Sequence, residues 1–278
     1  MERIGLIGLG NIGSYYTGKL VAAGYPLSVY DLDPARVAAA ENIGAVGRAN
    51  PAEVARESDV ILLSLPASPN VEQVMSGEQG ILKGLRAEQA VVDTGTTRPE
   101  TEVLYAAECA ALGASYLDAP ITWRSHGLII MVGGEVEAFE RVRPVLETVG
   151  SKVRHVGAIG TGQVLKLANQ MILAGQLAVQ AETVEFTRQA GLDAALLRDY
   201  LEFPVPAALE GDDFHGGGQL ALHYKDLIYA LDFAHASGAS TPILAMVHEI
   251  FKATHVLGEP DWLQPGIATY WRILNPKK

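Results

Sequence analysis

A chain of 278 residues, of which 49% are hydrophobic and 19% charged, has a globular composition and is long enough for one large domain or two. Its net charge of −11 argues against binding along a nucleic-acid backbone, which requires clustered Lys and Arg, and favours a small-molecule partner. The single cysteine, Cys109, excludes an internal disulfide and fits a reducing compartment, so we expect a cytoplasmic protein.

We expect neither a signal peptide nor a contact with a membrane. The opening "MERIGLIGLG" lacks a long apolar core and is typical of a strand instead. The most apolar later stretch, residues 164–181, contains Lys166 and four Gln or Asn residues, which argues against a membrane span.

The first predicted strand, residues 3–8, leads into a glycine motif. Gly8, Gly10 and Gly13 have GxGxxG spacing, and a helix is predicted to begin among them. Gly8 permits a tight turn, Gly10 lets a pyrophosphate approach the backbone, and Gly13 lets the helix pack closely on the strand. The helix N-terminus offers N–H groups to the phosphates. We therefore predict a dinucleotide site; the alternative is a glycine turn that binds no nucleotide.

The second predicted strand, residues 27–30, is followed directly by Asp31. An acidic side chain here accepts hydrogen bonds from the ribose hydroxyls and repels a 2′-phosphate, which favours NAD over NADP. Arg36, five residues later, complicates that preference.

Strand and helix signals continue to alternate through the first half of the chain. A helix is predicted over 99–112, with Pro99 near its start. Further strands are predicted over 60–65, 90–93, 115–119, 128–134 and 153–157. The alternation indicates βαβ units and a largely parallel sheet with helices on both faces.

After the last of these strands the pattern becomes helical. Residues 162–190 contain no proline and have helical periodicity, which predicts a helix about 40 Å long. Further helices are predicted over 219–237 and 242–256, and no clear strand is found. We therefore predict an α/β domain of the Rossmann type over residues 1–160, and an all-helical substrate and dimerisation domain over 161–278.

Lys166 stands alone on the long predicted helix, since it is the only Lys, Arg, Asp or Glu between Arg154 and Glu182. It belongs to a narrow polar stripe whose positions recur at three- and four-residue spacing: Gln163, Lys166, Asn169 or Gln170, Leu173 and Gln176. A solvent-facing stripe is normally rich in Glu and Lys, so amides around one lysine indicate the lining of a cleft. The alternative is a snorkelling lysine on a surface helix.

A cleft lysine beside a nicotinamide has a chemical role available to it. During carbonyl reduction its ammonium donates a proton to the oxygen and stabilises the developing alkoxide. With a reference pKa of about 10.4, lysine is already protonated at neutral pH. Alcohol oxidation requires a base, and hence a pKa lowered by desolvation or by nearby positive charge.

The chain resembles the β-hydroxyacid dehydrogenase family, which includes 3-hydroxyisobutyrate, tartronate-semialdehyde and 6-phosphogluconate enzymes. The resemblance covers nearly the whole chain and is carried by five segments in the family's order. They are "GLIGLGNIGSYYTGKL", "VVDTGTTRP", "LDAPIT" followed by "LIIMVGG", "GTGQVLKLANQ" and "HYKDLIYALDFAHASGASTP".

The resemblance implies an oxidoreductase that interconverts a small β-hydroxy acid and its semialdehyde in a cleft between two domains. Lys166 would be the proton donor or acceptor. The implied cofactor-binding residues are Gly8, Gly10, Asn11, Ile12, Gly13, Asp31, Leu65, Pro66, Thr96, near the nicotinamide, and Lys225, which helps to close the site. The implied substrate-binding residues are Thr122, Asn169 and Gln170, and we add Trp123 and Arg124, which stand in the same segment, as candidates.

The sequence departs from the family after its Asp-Ala-Pro. Family members usually continue with Val-Ser-Gly-Gly, whereas this chain has Thr122 in place of Ser, and Trp123 and Arg124 in place of the glycines. Two interpretations of Arg124 stay open. It clamps a substrate carboxylate, sulfonate or phosphate, or it points into solvent while Trp123 packs against the second domain. Gln170 stands where many members have Asn.

Two other functions are compatible with the same scaffold. An imine reductase on the same scaffold is favoured by an Arg near this segment but opposed by Lys166, because the proton donor of those relatives is generally not a lysine. A dinucleotide-binding module without catalysis is opposed by the presence of Lys166, Asn169 and Lys225.

No metal site is expected. Four residues resemble metal ligands but have no recognised ligand spacing: Asp212, Asp213, His215 and His223. His126 is either a pocket residue or a plain loop histidine. Because the long helix has a mostly apolar surface, we expect a homodimer or homotetramer.

Overall fold

The computed structural model describes residues 1–211, 214 and 216–276. They form two compact units, Met1–Lys166 and the residues from Leu167 onward. A long helix starts at Thr161 and contains the division between the two units.

The first unit is built on one sheet of nine strands among the described residues. They are β1 (Ile4–Ile7), β2 (Leu27–Tyr30), β3 (Val46–Gly47), β4 (Val60–Leu63), β5 (Ala90–Asp93), β6 (Ser115–Asp118), β7 (Ile121–Arg124), β8 (Gly127–Gly133) and β9 (Lys152–Gly157). Their order is β3-β2-β1-β4-β5-β6-β8-β7, with β9 also paired to β8. The strands from β3 to β6 are parallel, which is the doubly wound arrangement of dinucleotide-binding folds.

Six helices accompany this sheet within the first unit. They are α1 (Asn11–Ala22), α2 (Pro34–Glu41), α3 (Pro51–Arg56), α4 (Ser68–Ser76), α5 (Pro99–Ala111) and α6 (Val136–Val149). Prolines stand in the first turn of several of them, where the missing N–H has no helical acceptor to lose.

Successive side chains of the central strands enter two different cores. On β4, Leu62 joins a cluster with Tyr16 of α1 and Val142 of α6. Its neighbour Leu63 joins a second cluster with Val71 of α4 and Tyr105 of α5. Helices therefore cover both faces, and burial of each such side chain contributes about 1.5–3 kcal/mol.

The second unit is helical in its described part. Helix α7 (Thr161–Gln189) begins in the first unit and continues into the second, where it is followed by α8 (Ala195–Asp199), α9 (Leu220–Ser237), α10 (Pro242–Leu257) and α11 (Ala268–Leu274). Small residues of α7, such as Ala174 and Ala181, pack with Leu227 of α9 and Phe251 of α10 in one core.

The predicted fold class is confirmed, and so are the seven predicted strands and the long helix. Two strands were not predicted. β3 has only two residues, and β7 lies in the segment where the sequence departs from the family pattern. No helix in the described part of the chain combines the length and the apolar composition that crossing a membrane requires.

Candidate active site

The three motif glycines lie in the turn after β1, and their surroundings differ. Gly8 has φ of +93°, and a Cβ there would lie 2.3 Å from the Ser64 carbonyl oxygen. A Cβ on Gly13 would lie 1.9 Å from the Gly8 carbonyl oxygen. A Cβ on Gly10 would meet nothing closer than Arg36 Nη1, at 3.9 Å. Gly8 and Gly13 therefore shape the turn, whereas Gly10 leaves its surface open.

Helix α1 starts directly after this turn with Asn11 and Ile12. Its N-terminus has no side-chain cap, so its first N–H groups are in the right place to bind phosphate oxygens. The uncapped helix and the open surface of Gly10 together fit the pyrophosphate of a dinucleotide.

Asp31 lies at the carboxyl end of β2 and is held by backbone donors. Its Oδ2 accepts from the Leu9 N–H at 2.6 Å, and its Oδ1 accepts from the Asp33 N–H at 2.8 Å. Arg36 Nη1 lies 3.7 Å from the same Oδ2. An acceptor for ribose hydroxyls and a cation for a 2′-phosphate are therefore adjacent.

The loops after β4 and β5 lie side by side, as the parallel order of these strands requires. A Cβ on Gly95 would be 2.6 Å from the Leu65 carbonyl oxygen, so the loop that carries Thr96 packs closely on the loop of Leu65 and Pro66. The Gly95 N–H donates to Asp93 Oδ1 at 2.8 Å. The carboxyl ends of parallel strands are where doubly wound folds bind their ligands.

Thr122, Trp123 and Arg124 lie on β7, an edge strand that pairs antiparallel with β8 through a turn at Ser125 and His126. Alternate side chains share a face of a strand, and accordingly Arg124 Nη1 donates to Thr122 Oγ1 at 3.1 Å. It also donates to the Trp123 carbonyl oxygen at 3.1 Å. The guanidinium and the hydroxyl are thus adjacent. The remaining guanidinium N–H groups and the Thr122 O–H are donors of the kind that bind an anion.

Trp123 makes its ring contact within the first unit. Its ring is 55% exposed and meets Tyr15 of α1 edge to face, with centroids 5.4 Å apart. Tyr15 in turn donates to the Val149 carbonyl oxygen. His126 is exposed in the hairpin turn.

The start of α7 is fixed by Asp118, the last residue of β6. Asp118 Oδ1 accepts from the Gly160 N–H and Oδ2 from the Gln163 N–H, both at 2.8 Å. Burial raises the pKa of Asp118, and the backbone donors oppose that rise. Lys166 follows one helical turn after Gln163 and is 8% exposed. The helix end that carries the lysine is therefore tied to the sheet.

Glu102 is fully buried behind the Thr96 loop, which the sequence reasoning did not foresee. Its Oε1 is hydrogen bonded to Thr97 Oγ1, and Thr97 Oγ1 lies 3.4 Å from Asp93 Oδ2. Burial, and then the charge of Asp93, raise the pKa of Glu102 well above its usual value. Glu102 therefore favours its neutral form.

We expect Glu102→Gln to become progressively more stabilising, relative to the wild type, as the pH rises. Because the pKa of Glu102 is higher in the folded than in the unfolded chain, folding binds a proton. The stability from this group is complete below its ordinary pKa of 4.5 and is lost as the pH rises towards the folded value. The measurement is the difference in Tm between variant and wild type from pH 5 to pH 8.

Glu108→Gln, at an exposed carboxyl on the same helix, is the matched control. The same pH dependence of Tm in both variants would contradict a special role for the burial of Glu102.

In the second unit, Gln170 connects two helices and is 6% exposed. Its Nε2 donates to Asp226 Oδ2 at 2.6 Å, and its Oε1 accepts from Asn169 Nδ2 at 3.0 Å. Lys225 Nζ lies 3.1 Å from Asp226 Oδ1 and 5.0 Å from the centroid of the Tyr229 ring. The structure thus brings Asn169, Gln170 and Lys225 into one network and adds Asp226, which was not predicted.

His223 supports this network through both of its ring nitrogens. Its Nε2 is hydrogen bonded to the Gln170 carbonyl oxygen at 3.0 Å, and its Nδ1 to Gln264 Nε2 at 2.7 Å. The other three residues weighed as metal ligands lie outside the described residues: Asp212, Asp213 and His215.

The family described as the NAD binding domain of 6-phosphogluconate dehydrogenase matches residues 3–157, which is more than half of the chain. The family described as the NAD-binding of NADP-dependent 3-hydroxyisobutyrate dehydrogenase matches residues 160–267. The chain belongs to the β-hydroxyacid dehydrogenase family. The resemblance inferred from its five segments is therefore confirmed.

Individual β-hydroxyacid dehydrogenases match over most of their length. The mitochondrial 3-hydroxyisobutyrate dehydrogenase of Mus musculus is 35% identical, and the match covers 90% of this chain and 81% of the mouse protein. The 2-hydroxy-3-oxopropionate reductase of Escherichia coli is 35% identical, and the match covers 90% of each protein. A structure of Mycobacterium tuberculosis 3-hydroxyisobutyrate dehydrogenase with L-serine has a TM-score of 0.88 and 28% identity, and covers 98% of this chain and 99% of that one.

This β-hydroxyacid dehydrogenase is thus an NAD(P)-dependent oxidoreductase. The sequence predicted the glycine turn, Lys166 and the polar stripe that begins at Gln163, but it did not single out Glu102, Asp118 or Asp226. A signal for Asp118 existed, since it lies near the end of the strand predicted over 115–119.

Proposed function

We propose that this dehydrogenase interconverts a small β-hydroxy acid and its semialdehyde, with Lys166 as the general acid and base. The observation that carries the proposal is the buried Lys166 in the first turns of a helix whose N-terminus is fixed by Asp118. When bound, NAD(P) supplies or accepts the hydride. In reduction the Lys166 ammonium donates a proton to the carbonyl oxygen, and in oxidation the neutral amine removes the hydroxyl proton.

We infer that NAD is preferred to NADP. Asp31 supports this preference because its carboxylate is already oriented at the end of β2, where it would accept from ribose hydroxyls. Arg36, 3.7 Å away, is the residue that would favour NADP. A lower dissociation constant for NADPH than for NADH would overturn the preference.

We propose that Thr122 and Arg124 bind the acid group of the substrate. Their hydrogen bond places a hydroxyl and a guanidinium together on β7, and charge-assisted hydrogen bonds contribute about 1.5–3 kcal/mol each. The substrate is accordingly a small anion with a carboxylate, and a sulfonate or phosphate analogue offers the same geometry.

The test is NADH consumption by the purified protein with methylmalonate, tartronate, succinic and sulfonated semialdehydes. We expect turnover of at least one. Arg124→Met should then raise its KM about 10- to 100-fold with a smaller effect on kcat, because a charge-assisted contact to the bound acid is lost. Arg143→Met, at an exposed arginine of α6, is the matched control.

Two outcomes would count against these assignments. A KM that Arg124→Met leaves unchanged for every acid removes Arg124 from the substrate site. If the wild type and a Lys166 variant both reduced a cyclic imine and neither reduced a semialdehyde, the fold assignment would stand and the proposed reaction would be wrong.

We propose that the protein is a homodimer or a larger homo-oligomer. Ile172, Val179 and Phe186 recur every seven residues on α7 and are 62%, 65% and 74% exposed. Apolar residues at this spacing form one stripe that a second helix can cover. A monomer in sedimentation velocity at micromolar concentration would refute this proposal.

We also assign the protein to the cytoplasm, without nucleic-acid or membrane partners. The single buried Cys109 and the net charge of −11 support this assignment. Cell fractionation tests it, and recovery with membranes or in an oxidising compartment would overturn it.

A further inference from the structure

The side chain of Gln163 holds the backbone on both sides of Thr96. Its Oε1 accepts from the Thr97 N–H at 3.2 Å, and its Nε2 donates to the Gly95 carbonyl oxygen at 3.1 Å. These two groups belong to the peptide bonds before and after Thr96. One amide therefore fixes both peptide planes that orient this threonine.

The orientation of the amide is determined by its surroundings. A backbone N–H only donates and a carbonyl oxygen only accepts, so the amide cannot be reversed. Its second N–H donates to Glu102 Oε1 at 3.4 Å. Gln163 is completely buried, and both of its amide N–H groups and its amide oxygen are hydrogen bonded, so any replacement leaves at least one buried partner unsatisfied.

The backbone of Gln163 is fixed as well. Its N–H donates to Asp118 Oδ2 at 2.8 Å, in the first turn of α7. Lys166 follows three residues later, about 4.5 Å further along the helix axis. Gln163 is therefore tied through its backbone to the end of β6 and through its side chain to the loop after β5.

We propose that Gln163 is a positioning residue for the reaction, which sets Thr96 at a fixed distance from Lys166. The proposal rests on the proposed function, in which Thr96 lies near the nicotinamide and Lys166 transfers the proton. Gln163 touches neither substrate nor cofactor in this role. It acts by preventing the Gly95–Thr97 loop from shifting relative to the first turn of α7.

The decisive variant is Gln163→Met, which keeps the length of the side chain and removes its hydrogen bonds. The variant lacks the acceptor of the Thr97 N–H, so the loop opens to solvent more often. The hydrogen exchange of the Thr97 N–H should therefore accelerate about tenfold or more. We expect kcat to fall about 10- to 100-fold, because small displacements of reacting groups have effects of this size. The KM values for cofactor and semialdehyde should stay within about threefold.

Gln163→Glu tests the same hydrogen bonds through pH. A neutral carboxyl retains an acceptor for Thr97 and an O–H donor for Gly95, whereas a carboxylate retains only the acceptor. The carboxyls that face this position are Glu102 of α5, Asp93 of β5 and Asp118 of β6, and they favour the neutral form. Activity relative to the wild type should therefore be highest at low pH and decline as the pH rises.

The controls are Gln73→Met and Gln73→Glu, at an exposed glutamine of α4 in the same unit. They should leave both Thr97 exchange and kcat unchanged. If the role of Gln163 were merely structural, its variants would have a lower Tm, and the activity of Gln163→Glu relative to the wild type would not recover at low pH.

Unchanged Thr97 exchange in Gln163→Met overturns the proposal, and so does a kcat within twofold of the wild type. If the wild-type protein reduces none of the semialdehydes, the proposed function fails separately. The Thr97 exchange rate then decides by itself whether Gln163 holds the loop.

Discussion

Replacing Lys166 with methionine is expected to lower kcat for the preferred semialdehyde about 10²- to 10⁴-fold, the usual contribution of a positioned general acid. Methionine keeps most of the volume of the lysine side chain and cannot transfer a proton. Because Lys166 is 8% exposed in a helix end held by Asp118, solvent has poor access to replace it as the donor. The measurements are steady-state kinetics in both directions and direct NADH binding.

NADH should bind to Lys166→Met with an affinity close to that of the wild type, since none of the predicted phosphate or ribose contacts involves this residue. Lys166→Arg should be nearly as inactive, because a guanidinium retains its proton at every accessible pH. Lys252→Met, at an exposed lysine of α10, is the control for loss of one positive charge. More than a tenth of wild-type kcat in Lys166→Met would show that another group donates the proton.

Alanine at Gly13 and alanine at Gly10 are expected to have opposite consequences, although the two glycines share one motif. At Gly13 the added methyl would lie 1.9 Å from a backbone oxygen, which no rotamer change can relieve. Overpacking of this kind costs about 3 kcal/mol or more, which corresponds to a Tm lower by about 6–12 °C. Loss of soluble protein would be the extreme form of the same result.

At Gly10 the methyl meets only the end of the Arg36 side chain, at 3.9 Å, and the backbone φ of −63° suits alanine. The Tm of Gly10→Ala should therefore stay within about 2 °C of the wild type. NADH should bind about tenfold more weakly or worse, because the methyl occupies the surface that the pyrophosphate approaches. Thermal melts and NADH titrations of the two variants test the pair. Normal NADH affinity in Gly10→Ala would place the phosphates elsewhere.

The parts of the fold that local sequence determines could be predicted well. The apolar runs of β1, β4 and β5 and the uninterrupted periodicity of α7 define those elements without reference to the rest of the chain. The strand β7 was missed because "ITWR" is short and its turn lacks the usual glycine or asparagine signal. Its conformation depends on pairing with β8.

The polar network around the site could not be read from the sequence for a different reason. Glu102 stands in the first turn of α5, where an exposed acidic residue is common, and nothing local shows that it is buried. Its partners Thr97 and Gln163 come from a loop and from another helix. Likewise, the contact of Gln170 with Asp226 joins residues 56 positions apart. Such groups acquire their role only when the chain has folded.

The position of β7 at the edge of the sheet has a consequence for how this protein can change over evolution. Within the described sheet, β7 pairs with β8 alone, whereas β1 and β4 lie between neighbours on both sides. Substitutions at Thr122, Trp123 or Arg124 therefore alter a surface strand and leave the parallel core and its glycine turn intact. Selection can act on the residues proposed to bind the acid group at low cost to stability, so substrate range can diverge while the NAD-binding domain stays the same.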